Sequence, residues 1–219
     1  MGSEDLFHKR KAKSVKQLAR NKSKRAPYDK VLIVCEGTKT EPYYFTDARN
    51  YHKINTLNII IEGTGKDPLT LVQRAKQLYQ EQERLGDPYD RVYCVFDKDE
   101  HTTYQQAIDL IKKATPKAKW FVVTSVPCFE YWLLLHFNYT TQPYYPVTGL
   151  SASKAVVNEL KKYIPNYEKG ASDIYSLLID QVEIAINHAQ GAGKDVARNA
   201  TDNPSTLVHK LVEYIRTLA

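Results

Sequence analysis

Val92-Tyr93-Cys94-Val95-Phe96-Asp97-Lys98-Asp99-Glu100-His101 decides how the rest of the chain is read. Its first five residues are apolar and β-prone, and the run is too short for a helix. It therefore reads as a strand of a parallel sheet, buried on both faces. The strand then stops in three acids within four residues. Carboxylates crowded at a strand end repel one another, so a cation is expected among them. Asp97 and Asp99 are two apart and can converge on one ion from the loop at the carboxyl edge of a sheet. All-oxygen ligands of this kind suit Mg²⁺ or Mn²⁺ rather than zinc. An Asx-turn or a helix N-cap is the competing local explanation.

A second strand end carries the same mark. Lys30 to Cys35 is a strong apolar run, the expected first strand, and it passes directly into Glu36-Gly37-Thr38-Lys39-Thr40-Glu41-Pro42. Gly37 permits a sharp turn. A helix is expected over Tyr43 to Tyr51 with Thr40 as its cap, which places Glu41 in the first turn, facing the helix dipole. Glu36 ends the strand itself and has no such role.

Between these two acidic ends, Leu57 to Ile61 reads as a strand. Asp67-Pro68 starts a helix that runs to about Leu85, with Leu69, Val72, Ala75, Leu78 and Tyr79 on one face. After the acidic loop, Thr102 to Ala114 is a helix and Trp120 to Thr124 a strand. Ser125 to Glu130 then leads into an apolar helix, Tyr131 to Phe137. The alternation predicts a four-stranded, mainly parallel α/β sheet flanked by helices over residues 30–138. Ligands of such sheets bind at the carboxyl ends of strands near a topological switch point. If the first and third strands are neighbours, Glu36, Asp97 and Asp99 meet there. Glu130 opens a helix after the fourth strand at the same edge, either as a helix-dipole acid or as a further ligand. Residues 139–219 read differently: a Pro/Tyr-rich loop, then helices over Ser151 to Tyr163, Asp173 to Ala189 and Pro204 to Leu218.

The 219 residues are 42% hydrophobic, enough for a substantial core, and contain no apolar run long enough to span a membrane. Polar residues from the start of the chain and the missing apolar leader core imply a cytoplasmic protein. Cys35, Cys94 and Cys128 lack metal-site spacing and read as reduced, buried thiols. The net charge of +6 is concentrated at one end. Residues 1–30 hold ten Lys/Arg against three Asp/Glu, and the remainder is nearly neutral at 21 against 22. Residues 1–29 therefore form a basic flexible arm, a solvated tail or a grip on phosphates through residues such as Lys9, Arg10, Lys11, Lys13 and Arg20. Lys39 and Lys98 within the acidic loops, and Lys194 and Arg198 near the end, are further candidates for phosphate oxygens. Gly63-Thr64-Gly65-Lys66 and Gly191-Ala192-Gly193-Lys194 are fragments of a nucleotide-binding loop. Both fail the full pattern, because Ile60 and His188 hold the first glycine position and Asp67 and Asp195 follow the lysines.

Strand–Glu36-Gly37 followed by strand–Asp97-x-Asp99 resembles the Toprim signature. More closely, four blocks in order resemble the RloB-like family. They are Ile33-Val34-Cys35-Glu36-Gly37-x-x-Thr40-Glu41, Phe96-Asp97-x-Asp99-Glu100-His101, Pro127-Cys128-Phe129-Glu130-x-Trp132-Leu133-Leu134-Leu135-His136-Phe137 and Asn203-Pro204-Ser205-Thr206. The resemblance implies a Toprim-like fold and an Mg²⁺-dependent nuclease of RNA, including tRNA, or of DNA. It also implies a role in bacterial anti-phage defence by abortive infection, beside an ATPase partner protein. Carried over by position, Glu36 is the general acid/base, and Asp97 and Asp99 are the metal-binding pair. Glu41 joins the catalytic acids and Glu130 the metal ligands. Two other readings compete. In one the chain is a non-catalytic module binding nucleic acid or a partner protein. In the other it is a phosphatase with Asp97 as nucleophile, although His101 stands where that motif carries Thr or Val.

Overall fold

The computed structural model describes residues 29–56, 58–98 and 102–219. The expected α/β order is present: β1 (Val31–Cys35), α1 (Thr40–Tyr51), β2 (Ile59–Gly63), α2 (Pro68–Arg84), β3 (Arg91–Asp97), α3 (Tyr104–Lys112), β4 (Trp120–Val126) and α4 (Glu130–Leu134). It continues with α5 (Ala152–Leu160), α6 (Ile174–Leu177), α7 (Val182–Arg198), β5 (Ser205–Thr206) and α8 (Val208–Arg216).

The strands form one sheet in the order β2-β1-β3-β4-β5. β1 lies parallel to β2 on one side and to β3 on the other, β3 is parallel to β4, and β5 runs antiparallel to β4. The chain leaves β1 for β2 in one direction and leaves β3 for β4 in the other. The topological switch point therefore falls between the carboxyl ends of β1 and β3, where this class of sheet opens a crevice.

Both faces of the sheet are covered, which is why β1 is apolar at every position and fully buried. One face sends Leu32, Val34, Val92, Cys94 and Phe96 against Leu71, Val72 and Ala75 of α2 and Ala107 and Ile111 of α3. The other sends Val31, Ile33, Cys35, Tyr93 and Val95 against α1, α4 and the C-terminal helices in one continuous core. α2 begins as its sequence dictates: Asp67 accepts hydrogen bonds from the amides of Leu69 and Thr70, and Pro68 occupies the first turn.

Several expectations need correction. Among the described residues the sheet has five strands, not four. Ser205 and Thr206, expected to open a helix at Pro204, are extended beside β4 instead. Buried Ser125 and Thr206 share a hydroxyl–hydroxyl bond of 3.1 Å, and the Leu207 amide donates to the Thr124 carbonyl at 2.8 Å. These side-chain and backbone bonds outcompete a helix start there, and α8 begins only at Val208. The helix expected over Asp173 to Ala189 is divided into α6, a turn of 3₁₀ helix at Ile179–Gln181, and α7, which continues to Arg198. β2 starts at Ile59, and Leu57 lies outside the described residues. α1 starts at Thr40 itself, preceded by Lys39 with no side-chain cap bond. The basic arm residues Lys9, Arg10, Lys11, Lys13 and Arg20 also lie outside the described residues.

Candidate active site

Adjacency of β1 and β3 brings their acidic ends together. The ladder runs in register to Cys35 opposite Val95, and the Glu36 amide adds a bond to the Val95 carbonyl at 2.9 Å. The Glu36 side chain turns across the strand gap, and its Oε2 accepts the Asp97 amide at 3.0 Å. Asp97 reaches in turn toward the segment after β4, where its Oδ2 accepts the Phe129 amide at 3.0 Å. Three consecutive strand ends are thus tied by two carboxylate–amide bonds. Charge-assisted bonds of this kind are roughly twice as strong as neutral ones.

A cavity of about 310 Å³ opens over these bonds. Its walls carry four carboxylates, Glu36, Glu41, Asp97 and Glu130, and two ammonium groups, Lys39 and Lys169. Glu41 and Glu130 are buried at 7% and 1% exposure, so both acids sit at the cavity floor rather than in solvent. Glu41 stands in the first turn of α1 but folds back over the β1–α1 turn. A Cβ built at Gly37 would collide with its carboxylate. Gly37 therefore makes room for Glu41. Gly63, at the end of β2, does the same for the turn as a whole, since a Cβ there would fall 2.5 Å from the Gly37 carbonyl oxygen.

The electrostatics follow from this crowding. Burial pushes the Asp97 carboxyl well above the usual carboxylate range, and repulsion from Glu41, Glu130 and Glu36 adds to it, against the Phe129 amide. The Glu41 carboxyl is also raised, first by burial and then by Glu130 and Glu36, while the amides of Glu41 and Gly37 pull the other way. Cys128 is buried beside this group and its thiol is raised by burial, then by Glu130 and Asp97, which keeps it protonated.

Glu130 has partners that sequence reasoning missed. Lys169 Nζ stands 3.3 Å from Glu130 Oε1, and the Tyr167 hydroxyl donates to the same oxygen at 3.3 Å. Desolvation works against the Lys169 charge, but Glu130, Cys128 and Asp97 together outweigh it, and the Lys169 pKa is raised. Both residues come from the loop between α5 and α6, which also packs Gly170 against the stem of Lys39; the φ of +82° at Gly170 is one that glycine adopts freely. The loop is remote from every strand end, so hydropathy patterning gives it no signal.

The other expected residues are placed differently. Asp99 and His101 lie outside the described residues. Lys98 is not on the cavity wall; it pairs with Asp202 and stands over the Tyr104 ring. Lys194 and Arg198 lie on α7, also away from the cavity wall, and Arg198 faces Asp195 at 3.6 Å. His136 is a core residue, 2% exposed, with Nδ1 at 3.1 and 3.2 Å from the Trp132 and Leu133 carbonyls.

Neither glycine-lysine segment forms a phosphate loop. The Thr64 and Gly65 amides donate to the Cys35 and Glu36 carbonyls, bracing the acidic turn, and Gly191 and Gly193 lie inside α7. The three cysteines are buried free thiols. No helix among the described residues is long and apolar enough to cross a membrane.

The family model described as RloB-like protein matches residues 31–215, from β1 to the last turn of α8. The chain belongs to the RloB-like family. Among curated proteins no match was found. The match gives the helical C-terminal part the same standing as the sheet. In this RloB-like chain that part supplies Lys169 to the cavity, the Tyr167 hydroxyl to Glu130 and β5 to the sheet. The architecture, a largely parallel sheet with its acids at the carboxyl edge, is compatible with a Toprim-like fold.

Proposed function

We propose that this RloB-like protein is a metal-dependent nuclease that hydrolyses phosphodiester bonds of RNA, tRNA among them, or of DNA. One observation carries the reading: four carboxylates from β1, α1, β3 and α4 converge on a single cavity at the topological switch point, opposed there by two lysines. Such a cluster raises the pKa of its own members, and a divalent cation would relieve it.

The donor set fits a hard ion. Every candidate ligand is a carboxylate oxygen, the preference of Mg²⁺ and Mn²⁺. Among the described residues no three His, Cys, Asp or Glu side chains form a complete metal-holding group. The set proposed from the family resemblance is Asp97 and Asp99, with Glu36 and Glu130 as the remaining carboxylates. The ion, when bound, would supply Lewis acidity and a lowered pKa for bound water.

The chain's own residues divide the remaining work. Glu36 faces the cavity from the end of β1 and would take the proton of the attacking water or return one to the leaving oxygen. Its bond from the Asp97 amide fixes its orientation. Glu41 is a second acid on the same wall, its carboxyl raised above the ordinary range by burial and then by Glu130 and Glu36, and it would share the proton transfers with Glu36. Lys39 and Lys169 would face the non-bridging phosphoryl oxygens, where a fixed cation stabilises developing charge.

In the cell, the proposed setting is the bacterial cytoplasm and anti-phage defence by abortive infection. Nucleotide sensing is assigned to an ATPase partner, since this chain uses both of its glycine-lysine segments structurally. The test is metal-dependent cleavage of DNA and of tRNA by the wild type and by Asp97→Ala. Cleavage by the wild type alone is expected, and equal activity in the two proteins ends the proposal.

A further inference from the structure

A second cavity, of about 380 Å³, lies against the first. Ser151, Ser153, Lys154, Lys161, Tyr167 and Lys169 line it. Lys169 belongs to both cavities, and Tyr167 forms the partition by bonding to Glu130 on the far side. The two spaces therefore adjoin across the α5–α6 loop.

Their chemistry is opposite. The first is floored with acids. The second has three lysines and two serines on its walls, against one acid, Glu168. Lys154 and Lys161 are seven residues apart on α5 and the turn that follows it, which puts them on one side of that helix. Both are exposed and pair with no carboxylate among the described residues. Exposed lysines of a globular protein commonly point in all directions. Here two converge on one cavity with a third that reaches into the acid site.

We infer that this second cavity is a subsite for the phosphodiester backbone of a nucleic-acid strand, seating the phosphates next to the bond presented to Glu36 and Asp97. The inference rests on the hydrolase reading for what becomes of the strand, but not for its binding. Lysine ammonium groups and serine hydroxyls suit phosphate oxygens, and phosphate contacts position a strand without reading its bases. Among the described residues the only aromatic in the wall, Tyr167, is 1% exposed and cannot stack on a base. The subsite therefore selects for a continuous backbone and is indifferent to sequence. It also answers an electrostatic problem. A polyanion approaching four carboxylates is repelled, and a flanking row of lysines offsets that repulsion where the strand enters.

The test is binding without cleavage. A short fluorescent oligothymidylate is titrated in EDTA against the full-length protein and against the Lys154→Glu/Lys161→Glu variant, at several salt concentrations. Expected is a fall in affinity of at least about tenfold and a salt slope shallower by about 1.4, the loss of two single-strand phosphate contacts. Lys112→Glu/Lys113→Glu, an exposed pair on the far face of the sheet, controls for net charge and should change binding much less. Wild-type affinity and slope in the first variant overturn the subsite, while metal-dependent cleavage by the wild type would leave the hydrolase reading standing. An equal loss in the control pair, or displacement of the oligonucleotide by thymidine monophosphate at comparable concentration, also overturns it. Absence of cleavage in any metal, with the binding difference intact, removes the hydrolase reading and keeps the subsite.

Discussion

The main-chain amide of Asp97 donates a 3.0 Å hydrogen bond to Glu36 Oε2, so the acid that ends β1 is held by the strand end it faces. The same residue accepts the Phe129 amide on its own carboxylate. Asp97 is therefore both a donor through its backbone and an acceptor through its side chain, and it aligns three strand ends around the cavity. A substitution here has separable consequences for structure and for chemistry.

Asp97→Asn keeps an oxygen to accept from Phe129 but removes one charge from a crowded, desolvated group. In the metal-free protein at pH 7 it should raise thermal stability, because the wild-type carboxyl is held above its ordinary range by burial and by Glu41, Glu130 and Glu36. Cleavage should fall at least about 100-fold. Mn²⁺ should raise the melting temperature of the wild type and leave the variant nearly unmoved. A variant that is less stable and still responds to Mn²⁺ would show that the carboxylate is structural.

The pH dependence of the metal-free protein carries the same information. Asp97 and Glu41 have folded pKa values above their unfolded ones. The native state then holds protons that the unfolded chain has released, so this contribution is present at low pH and lost as pH rises through the raised values. The stabilising effect of Mn²⁺, which competes with those protons, should be larger at pH 8 than at pH 5. Calorimetry across that range reads it directly, and an effect independent of pH would contradict the assignment.

Gly37 and Glu41 should be energetically coupled. A Cβ at Gly37 collides with the Glu41 carboxylate, so Gly37→Ala should cost roughly 1–3 kcal/mol, the usual range for overpacking. Glu41→Ala removes the obstacle. In that background Gly37→Ala should cost little, giving a coupling energy of at least about 1 kcal/mol by double-mutant cycle. Additive effects measured by denaturant unfolding would mean that the carboxylate lies elsewhere.

How far the sequence discloses this site depends on where each residue stands. Glu36 and Asp97 are legible because each directly ends an apolar strand, and a carboxylate in that place has no packing role. Glu130 is legible only in part, because it opens α4 after β4 and an acid there also answers the helix dipole. The edge strand β5 is not. Ser205 and Thr206 have no hydropathy alternation, they follow a proline, and their conformation is set by Thr124 and Ser125 from across the sheet. Tyr167 and Lys169 are invisible for a related reason: a loop's lysine reads as solvated unless the fold brings a buried acid to meet it. Conversely, Lys98, Lys194 and Arg198 share their charge with residues at the cavity, but Asp202 and Asp195 lie beside Lys98 and Arg198, and none of the three lines it.

Lys169 should matter more for turnover than for folding. Its side chain is 58% exposed, so its pairing with Glu130 is screened by solvent and contributes modestly to stability. Its ammonium nevertheless stands on the cavity wall next to the acid that it neutralises. Lys169→Ala should reduce cleavage about 10- to 100-fold with little change in melting temperature, and Lys169→Arg should recover part of the loss. Unaltered cleavage in Lys169→Ala would remove it from the site.

His136 sets an acid limit on the fold that is independent of the cavity. Burial lowers its pKa to about 4, despite the raising effect of the Trp132 and Leu133 carbonyls. His209 is likewise held at about 4, first by burial and then by Lys210. The folded protein keeps both rings neutral between about pH 4 and 6.5 while the unfolded chain protonates them. It therefore binds fewer protons than the unfolded chain in that window, and stability is full above pH 6.5 and lost as pH falls toward 4. For His136 alone the loss amounts to as much as about 3 kcal/mol. His136→Phe retains an aromatic ring against Trp132, which the histidine meets edge-on at 4.8 Å, and removes the titration. Unfolding free energies of the variant should be flatter between pH 6.5 and 4 by up to about 1.4 kcal/mol per pH unit, whatever its absolute stability. An unchanged slope would mean that the ring titrates normally in the folded protein.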